Sequence, residues 1–198
     1  AADRAGRPVV DHKVNVVLDN TLSAKAAAGA DRVRLRGTSC FSENDIEQLI
    51  HHEGYIHTAT LLNGRMQPHV TALGLNPPRT TATQEGLATF AEFITGSVDL
   101  NRLRRLALRI TAIQTALDGG DFIDVFCHLL EAGQTERESY QSAARIFRGG
   151  DPRGRVCFTK DNVYLRGLLR THTFVHAAVA EQRLDLISSM FVGRLSWS

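Results

Sequence analysis

His51-His52-Glu53-Gly54-Tyr55-Ile56-His57 is the stretch on which the reading of this sequence turns. It stands inside a helical pattern. Upstream, Ser42-Glu43-Asn44-Asp45 matches a capping box with aspartate in place of glutamate, and Asn63-Gly64 supplies a stop about twenty residues later. Zinc peptidases place two histidines around a glutamate as HExxH, because a four-residue spacing leaves both imidazoles on one helix face. Here the spacing is HExxxH. Four residues of regular α-helix rotate about 400°, leaving side chains about 40° apart, whereas five rotate about 500° and splay them by about 140°. A straight helix cannot offer His52 and His57 to one ion. A π-bulge closes an i→i+5 bond, absorbs one residue and restores the shared face; Gly54, lacking a Cβ, lowers the cost of such a distortion. The spacing therefore predicts a bulge or kink between His52 and His57.

A catalytic zinc site takes three protein ligands and keeps one position open. The best third ligand is Glu85, in Gln84-Glu85-Gly86-Leu87-Ala88. It falls in the first turn of a helix opened by a second capping box, Thr81-Ala82-Thr83-Gln84, where the helix dipole favours a carboxylate. Gly86 and Ala88 are small enough to let that helix approach the histidine helix closely. The stripe Ile46, Leu49, Ile50, Glu53, Ile56, His57 and Thr60 is expected to face the core. Burying Glu53 and His57 there without partners costs several kcal/mol, a cost that a metal relieves.

Upstream of this centre, valine-rich His12–Asp19 and the alternating Arg32–Arg36 read as strands, with alanine-rich Ser23–Ala30 between them as a short helix ending near Gly29. Downstream, the Thr81 helix is expected to end at Gly96. Asp99 caps the next helix, with Leu100, Leu103, Ala107, Ile110, Ile113 and Leu117 on its core face and Arg102, Arg105 and Arg109 on a solvated one. Helices then start near Asp121 and Thr135, Arg148–Gly154 is a turn-rich break, and helical stretches near Asn162–Glu181 and Leu184–Arg194 follow. The fold class is α+β, mostly helical with a small N-terminal sheet, expected as a single domain across residues 1–198.

Composition narrows the function. With 198 residues, 43% hydrophobic and 22% charged, the chain belongs with soluble globular proteins. A domain of this size hides roughly 70% of its unfolded surface and needs no disulfide staples. Lys and Arg number 23 against 21 Asp and Glu, a net of +2 that steers the chain neither to nucleic acid nor to an anionic membrane. No apolar run approaches the roughly 20 residues that span a bilayer, and Ala1-Ala2-Asp3-Arg4 does not read as a signal peptide. The three cysteines are widely spaced and without a CxxC. The expected setting is reduced and cytoplasmic.

HHEGYIH, then Asn63-Gly64-Arg65-Met66-Gln67-Pro68, then Thr83-Gln84-Glu85-Gly86-Leu87-Ala88, occur in that order. Together with Arg148-Gly149-Gly150, Phe158-Thr159-Lys160-Asp161 and Tyr164, they resemble the QEGLA-motif proteins, bacterial relatives of the microtubule-associated tyrosine carboxypeptidases of animals. The resemblance spans most of the chain from about Val33. It implies a zincin-like metallopeptidase in which His52, His57 and Glu85 hold Zn2+, Glu53 is the general base, and the substrate is a peptide or protein C-terminus. It also implies a fragment of a longer chain, since members extend further at both ends.

A carboxypeptidase needs an oxyanion donor and a cation for the terminal carboxylate, and Arg148, Lys160 and Tyr164 are the substrate-binding candidates in these motifs. Thr89 and Glu92 are candidates to support the ligands. His172 and His176 are assigned to packing or support, and Arg65 to capping helix carbonyls. Arg32–Arg36, immediately before the histidine helix, is expected to be an edge strand that pairs with extended substrate. Two other classes compete. One is a regulatory or binding module with a structural metal, its fourth position closed by His51 or another side chain. The other is nucleic-acid binding through the Arg102–Arg109 helix, which the near-neutral balance disfavours.

Overall fold

The computed structural model describes residues 14–22, 24–29 and 31–197, so His12 and Lys13 of the first expected strand, and the Ser23 and Ala30 ends of the expected short helix, lie outside them. Three strands, β1 (Asn15–Leu18), β2 (Ala26–Ala28) and β3 (Arg32–Leu35), are followed by α1 (Glu43–Leu49), a π-helical segment (Ile50–Thr58) and α2 (Ala59–Arg65). Then come α3 (Thr81–Ile94), α4 (Leu100–Leu117), α5 (Phe122–Glu131), α6 (Glu136–Ile146), α7 (Asn162–Ala180) and α8 (Leu184–Ser189). This is the expected α+β class, mostly helical with a small sheet near the N-terminus. The chain divides into two compact units, one built from residues up to Thr80 and from Ala177 onward, the other from Thr81–His176.

In the first unit the strand order is β1-β3-β2, with β1 parallel and β2 antiparallel to β3. Two expectations are corrected here. The alanine-rich segment is strand β2 and not a helix: alanine's helix propensity is a weak prior, and so short a run cannot meet the cost of helix nucleation. Backbone bonds from Gly29 N–H to Arg32 O and from Arg36 N–H to Lys25 O, both 2.8 Å, zip it to β3 instead. In consequence β3 is the central strand, and the edges among the described residues belong to β1 and β2.

α1, the π segment and α2 form one continuous helix, since the junction residues Ile50 and Ala59 keep right-handed helical backbone. Its start is the capping box read from the sequence: the Ser42 hydroxyl accepts from the Asp45 N–H while the Asp45 carboxylate accepts from the Ser42 N–H. The apolar stripe holds only in part: Ile50 is exposed, and Glu53 and His57 are half-buried. Ile56 and Thr60 are buried, but Ile46 is 53% exposed.

At the helix's far end, Gly64 does more than stop it. A Cβ there would lie 2.0 Å from the Leu73 carbonyl oxygen, in the 3-10 turn Thr71–Gly74. That oxygen also accepts the Arg194 N–H at 2.9 Å. The Asn63 side-chain amide donates to Phe191 O at 2.8 Å, and the Arg194 guanidinium donates to Asn76 Oδ1 at 2.7 Å and to His57 O at 3.3 Å. The Asn63-Gly64 pair thus ties the 71–74 turn and the 191–194 segment to the histidine helix. α8 is shorter than the stretch read from sequence because Phe191 onward serves this knot. Arg65 lies alongside Gly74, with no hydrogen bond among the described residues to bear out its capping role.

In the second unit α4, α5 and α6 enclose the core: Ala112, Ile113 and Ala116; Val125 and Leu129; Ala143, Ile146 and Phe147. Each large aliphatic or aromatic side chain so buried stabilises the unit by roughly 1.5–3 kcal/mol. The expected caps Asp99, Asp121 and Thr135 all accept from helix-start N–H groups. The expected core face of α4 is corrected: Leu106, Ala112, Ile113 and Ala116 are buried, whereas Leu100 is 83% exposed. The arginine row is a solvated face only in part: Arg105 is exposed as expected, but Arg102 and Arg109 turn toward buried acids.

α3 does not open on the second capping box. Thr81 is already helical, fed by a 3-10 turn at Pro78–Thr80, so Glu85 sits just past the first turn. Gly86 packs on α7, where an added Cβ would lie 2.5 Å from the Gly167 backbone. No helix among the described residues is long and apolar enough to cross a membrane.

Candidate functional site

Five residues separate His52 from His57, yet their rings lie 4.8 Å apart, centroid to centroid, at an interplanar angle of 81°. The π segment does this. Its end is marked by the Ala59 N–H bonding to Gly54 O, five residues back, so the surplus residue is absorbed and both imidazoles return to one face as the spacing predicts. Gly54 itself is not the reason: a Cβ there would meet nothing within 4 Å. The inserted residue makes the bulge, not its missing side chain.

Glu53, between the histidines, is aimed by backbone. Its Oε2 accepts the Ala28 N–H at 2.9 Å, on the side of β2 that does not pair with β3. The Thr58 hydroxyl donates to Gly29 O at 3.3 Å, a second tie between β2 and the π segment. His51 lies elsewhere, 3.8 Å from Glu47 Oε2 and against the Tyr55 ring.

On α3, Glu85 is buried at 9% exposure. The Thr89 hydroxyl donates to the Glu85 carbonyl at 2.8 Å, so it steadies the helix turn and not the carboxylate. The Lys160 ammonium sits 3.3 Å from Glu85 Oε1. One ligand atom each from His52, His57 and Glu85 all lie within 4.8 Å of one another, a group able to hold a metal ion. Two imidazole nitrogens and one carboxylate oxygen are a donor set that suits zinc, and His52 is only 7% exposed.

Behind Glu85 stands a charge network that sequence reading only half found. Asp161 is 1% exposed; Arg145 grips it with two N–H groups at 2.5 and 2.8 Å, and an Arg109 nitrogen is 3.6 Å away. Burial, then the charges of Glu85 and Asp161, push the Tyr164 phenol well above its ordinary pKa, with Arg145 and Arg109 opposing. Tyr164 therefore stays a hydrogen-bond donor at neutral pH.

Of the three expected substrate-binding residues, Lys160 is brought to Glu85, and the Tyr164 phenol feels the Glu85 charge. Arg148 is not: its guanidinium lies over the Phe158 ring, 4.5 Å from the centroid. Glu92, fully buried, is clamped by Arg102 at 2.6 and 2.8 Å, a support for α3 against α4. His172 packs against Phe90, Phe93 and His176. The missed residues are Arg109, Arg145 and Asp161. Asp161 stood in a quoted motif and Arg109 in the arginine row, but Arg145 carried no signal.

A mostly helical α+β chain with a His-His-Glu group and a glutamate between the histidines defines the general class, a protein with a candidate metal centre. The particular family follows from comparison: the family model for microtubule-associated tyrosine carboxypeptidase matches residues 2–198, and the chain belongs to that family. Carboxypeptidase activity is thereby its family-level assignment. No curated protein matches the chain.

Proposed function

We propose that this chain is a zinc-dependent carboxypeptidase that releases residues from peptide or protein C-termini. The observation that carries the reading is the convergence of His52, His57 and Glu85, with Glu53 held between the histidines by the Ala28 amide. When bound, Zn2+ would acidify water to a pKa near 7 and polarise the scissile carbonyl. His52 and His57 would hold it as neutral imidazoles and Glu85 as a carboxylate. Glu53 takes the proton of the attacking water and returns it to the leaving amine. Tyr164, kept protonated, donates to the developing oxyanion, and Lys160 balances charge beside Glu85. Extended substrate adds along the outer side of β2, beside the Ala28 amide that Glu53 holds. His51 turns toward Glu47 and Tyr55, so it is not the side chain that would close the fourth position in the structural-metal alternative.

Glu53→Gln is expected to keep one zinc per chain by elemental analysis while hydrolysis of a tyrosine-ending peptide falls by about 10²–10⁴-fold. His57→Ala should lose both metal and activity. Wild-type rates in Glu53→Gln would overturn the mechanism.

A further inference from the structure

A cleft of about 170 Å³ lies within the second unit, lined by α4, the turn after α5 and the first turn of α6. It shares no residue with the candidate metal centre. Sites for drug-sized ligands run to roughly 300–1,000 Å³, so this one suits only a small metabolite. Leu108 is the single large apolar side chain of its lining. An occupant is therefore held by charge and hydrogen bonds.

Gln134 is the buried member of the lining. At 9% exposure, its side-chain oxygen has no hydrogen-bond partner among the described residues. A buried amide oxygen without a donor is costly, and a ligand N–H relieves that cost. Two cations share the cleft with it. The Arg104 guanidinium donates to the Ala132 carbonyl and lies against Gly133, whose φ is +87° and where an added Cβ would come within 3.2 Å of it. One carbonyl leaves most of its five donors unspent. Arg105 is exposed and makes no hydrogen bond or ion pair among the described residues. The one acid of the lining is Glu138. Its Oε2 accepts from the Thr135 N–H at 3.1 Å and from the Thr135 hydroxyl at 2.8 Å, and Oε1 remains as an acceptor.

We infer that this cleft binds a free acidic amino acid. Its two guanidiniums and one carboxylate match, with signs reversed, the two carboxylates and one ammonium of such a ligand. One ligand carboxylate takes the Arg105 fork and the other the spare Arg104 donors, while the ammonium donates to Gln134 Oε1 and Glu138 Oε1. A plain dicarboxylate would leave the Gln134 oxygen without a donor and set a like charge beside Glu138. A water would satisfy Gln134 but neither arginine. The ligand ties α4 to the turn before α6, and so stabilises the core that these helices enclose. The inference stands apart from the carboxypeptidase reading, since no part of it uses the metal or Glu53.

The test is calorimetric titration of L-glutamate into the whole chain, with L-glutamine, glutarate and N-acetyl-L-glutamate as analogues that each lack one charge. The acetylated form also stands for a glutamate within a peptide. L-Glutamate should bind at one site, about tenfold or more tighter than each analogue. At about 100 times its dissociation constant it should raise the melting temperature by about 5 °C. Arg105→Gln and Gln134→Met should each weaken it by about tenfold, and Arg105→Lys, which keeps charge but not the fork, should recover only part of that loss. Neither Arg105→Gln nor Gln134→Met should lower the melting temperature without ligand, because Arg105 is exposed and the Gln134 oxygen is unbonded. Affinity should be the same with zinc bound and after dialysis against a chelator. Absence of binding, an analogue as tight as L-glutamate, or affinity untouched by both substitutions overturns the assignment. Loss of binding with the zinc also overturns it, by putting glutamate on the metal. So does a lower melting temperature for unliganded Gln134→Met, which would show that the amide is already satisfied.

Discussion

Asp161 carries a charge at 1% exposure, a position that only its two arginines make tolerable. Neutralising it should therefore hurt more through what it abandons than through what it loses. Asp161→Asn leaves Arg145 and Arg109 without the carboxylate that both approach. We expect a loss of about 3 kcal/mol in urea denaturation, since breaking a buried pair leaves an uncompensated charge. A midpoint within error of the wild type would mean that water already screens both guanidiniums. At this scale the sequence was legible where chemistry is local. His52, Glu53, His57 and Glu85 announce themselves by type and spacing. Arg145 and Arg109 do not, because a charge on an amphipathic helix looks the same whether its partner is solvent or an acid on another element.

The π segment sets the phase of everything after it. Ile56 and Thr58 within it, and Thr60 and Gly64 beyond it, are buried because the segment absorbs one surplus residue. Removing Gly54 should convert Ile50–Thr58 to regular α-helix with those four side chains still inward and with the histidines at the four-residue spacing of HExxH. The expected outcome is a folded protein that retains zinc to within about tenfold, checked by circular dichroism and metal titration. Loss of folding would show that the segment is wound wide for a reason other than phase.

Elements also divide by how far their causes reach. The capping box at Ser42 was readable because cap and partner are three residues apart, although the same pattern at Thr81 does not open its helix. β2 was not, because its conformation is decided by pairing with β3, which overrides the helix preference of alanine. The core face of α4 was misread for a similar reason: α5 and α6 choose which stripe they cover, and a stripe rich in leucine at Leu100 and Leu103 is not the one they chose.

At the scale of the whole chain, the knot around Gly64 joins segments more than a hundred residues apart, with Asn63 on Phe191 and Arg194 on His57 O. Deleting residues 191–197 should remove these bonds together. At about 1 kcal/mol each, their loss should lower the melting temperature by about 10 °C. An unchanged melt would reduce the knot to surface decoration. The resemblance read from HHEGYIH, NGRMQP and QEGLA was borne out along nearly the full length, yet the reason for the middle motif lay outside any helix rule. Asn63 and Gly64 serve a segment that local sequence gives no cause to connect with them.

That connection bears on the order in which the chain can become itself. During synthesis the histidine helix leaves the ribosome long before residues 191–194, and contacts so distant along the chain are slow to close. Until they arrive, the carbonyl of His57 and the turn at Leu73 lack their partners, and the helix carrying the histidines stays unfastened at one end. A nascent peptidase of this design would be idle while still being made, its cutting edge assembled only after the last of these residues is in place.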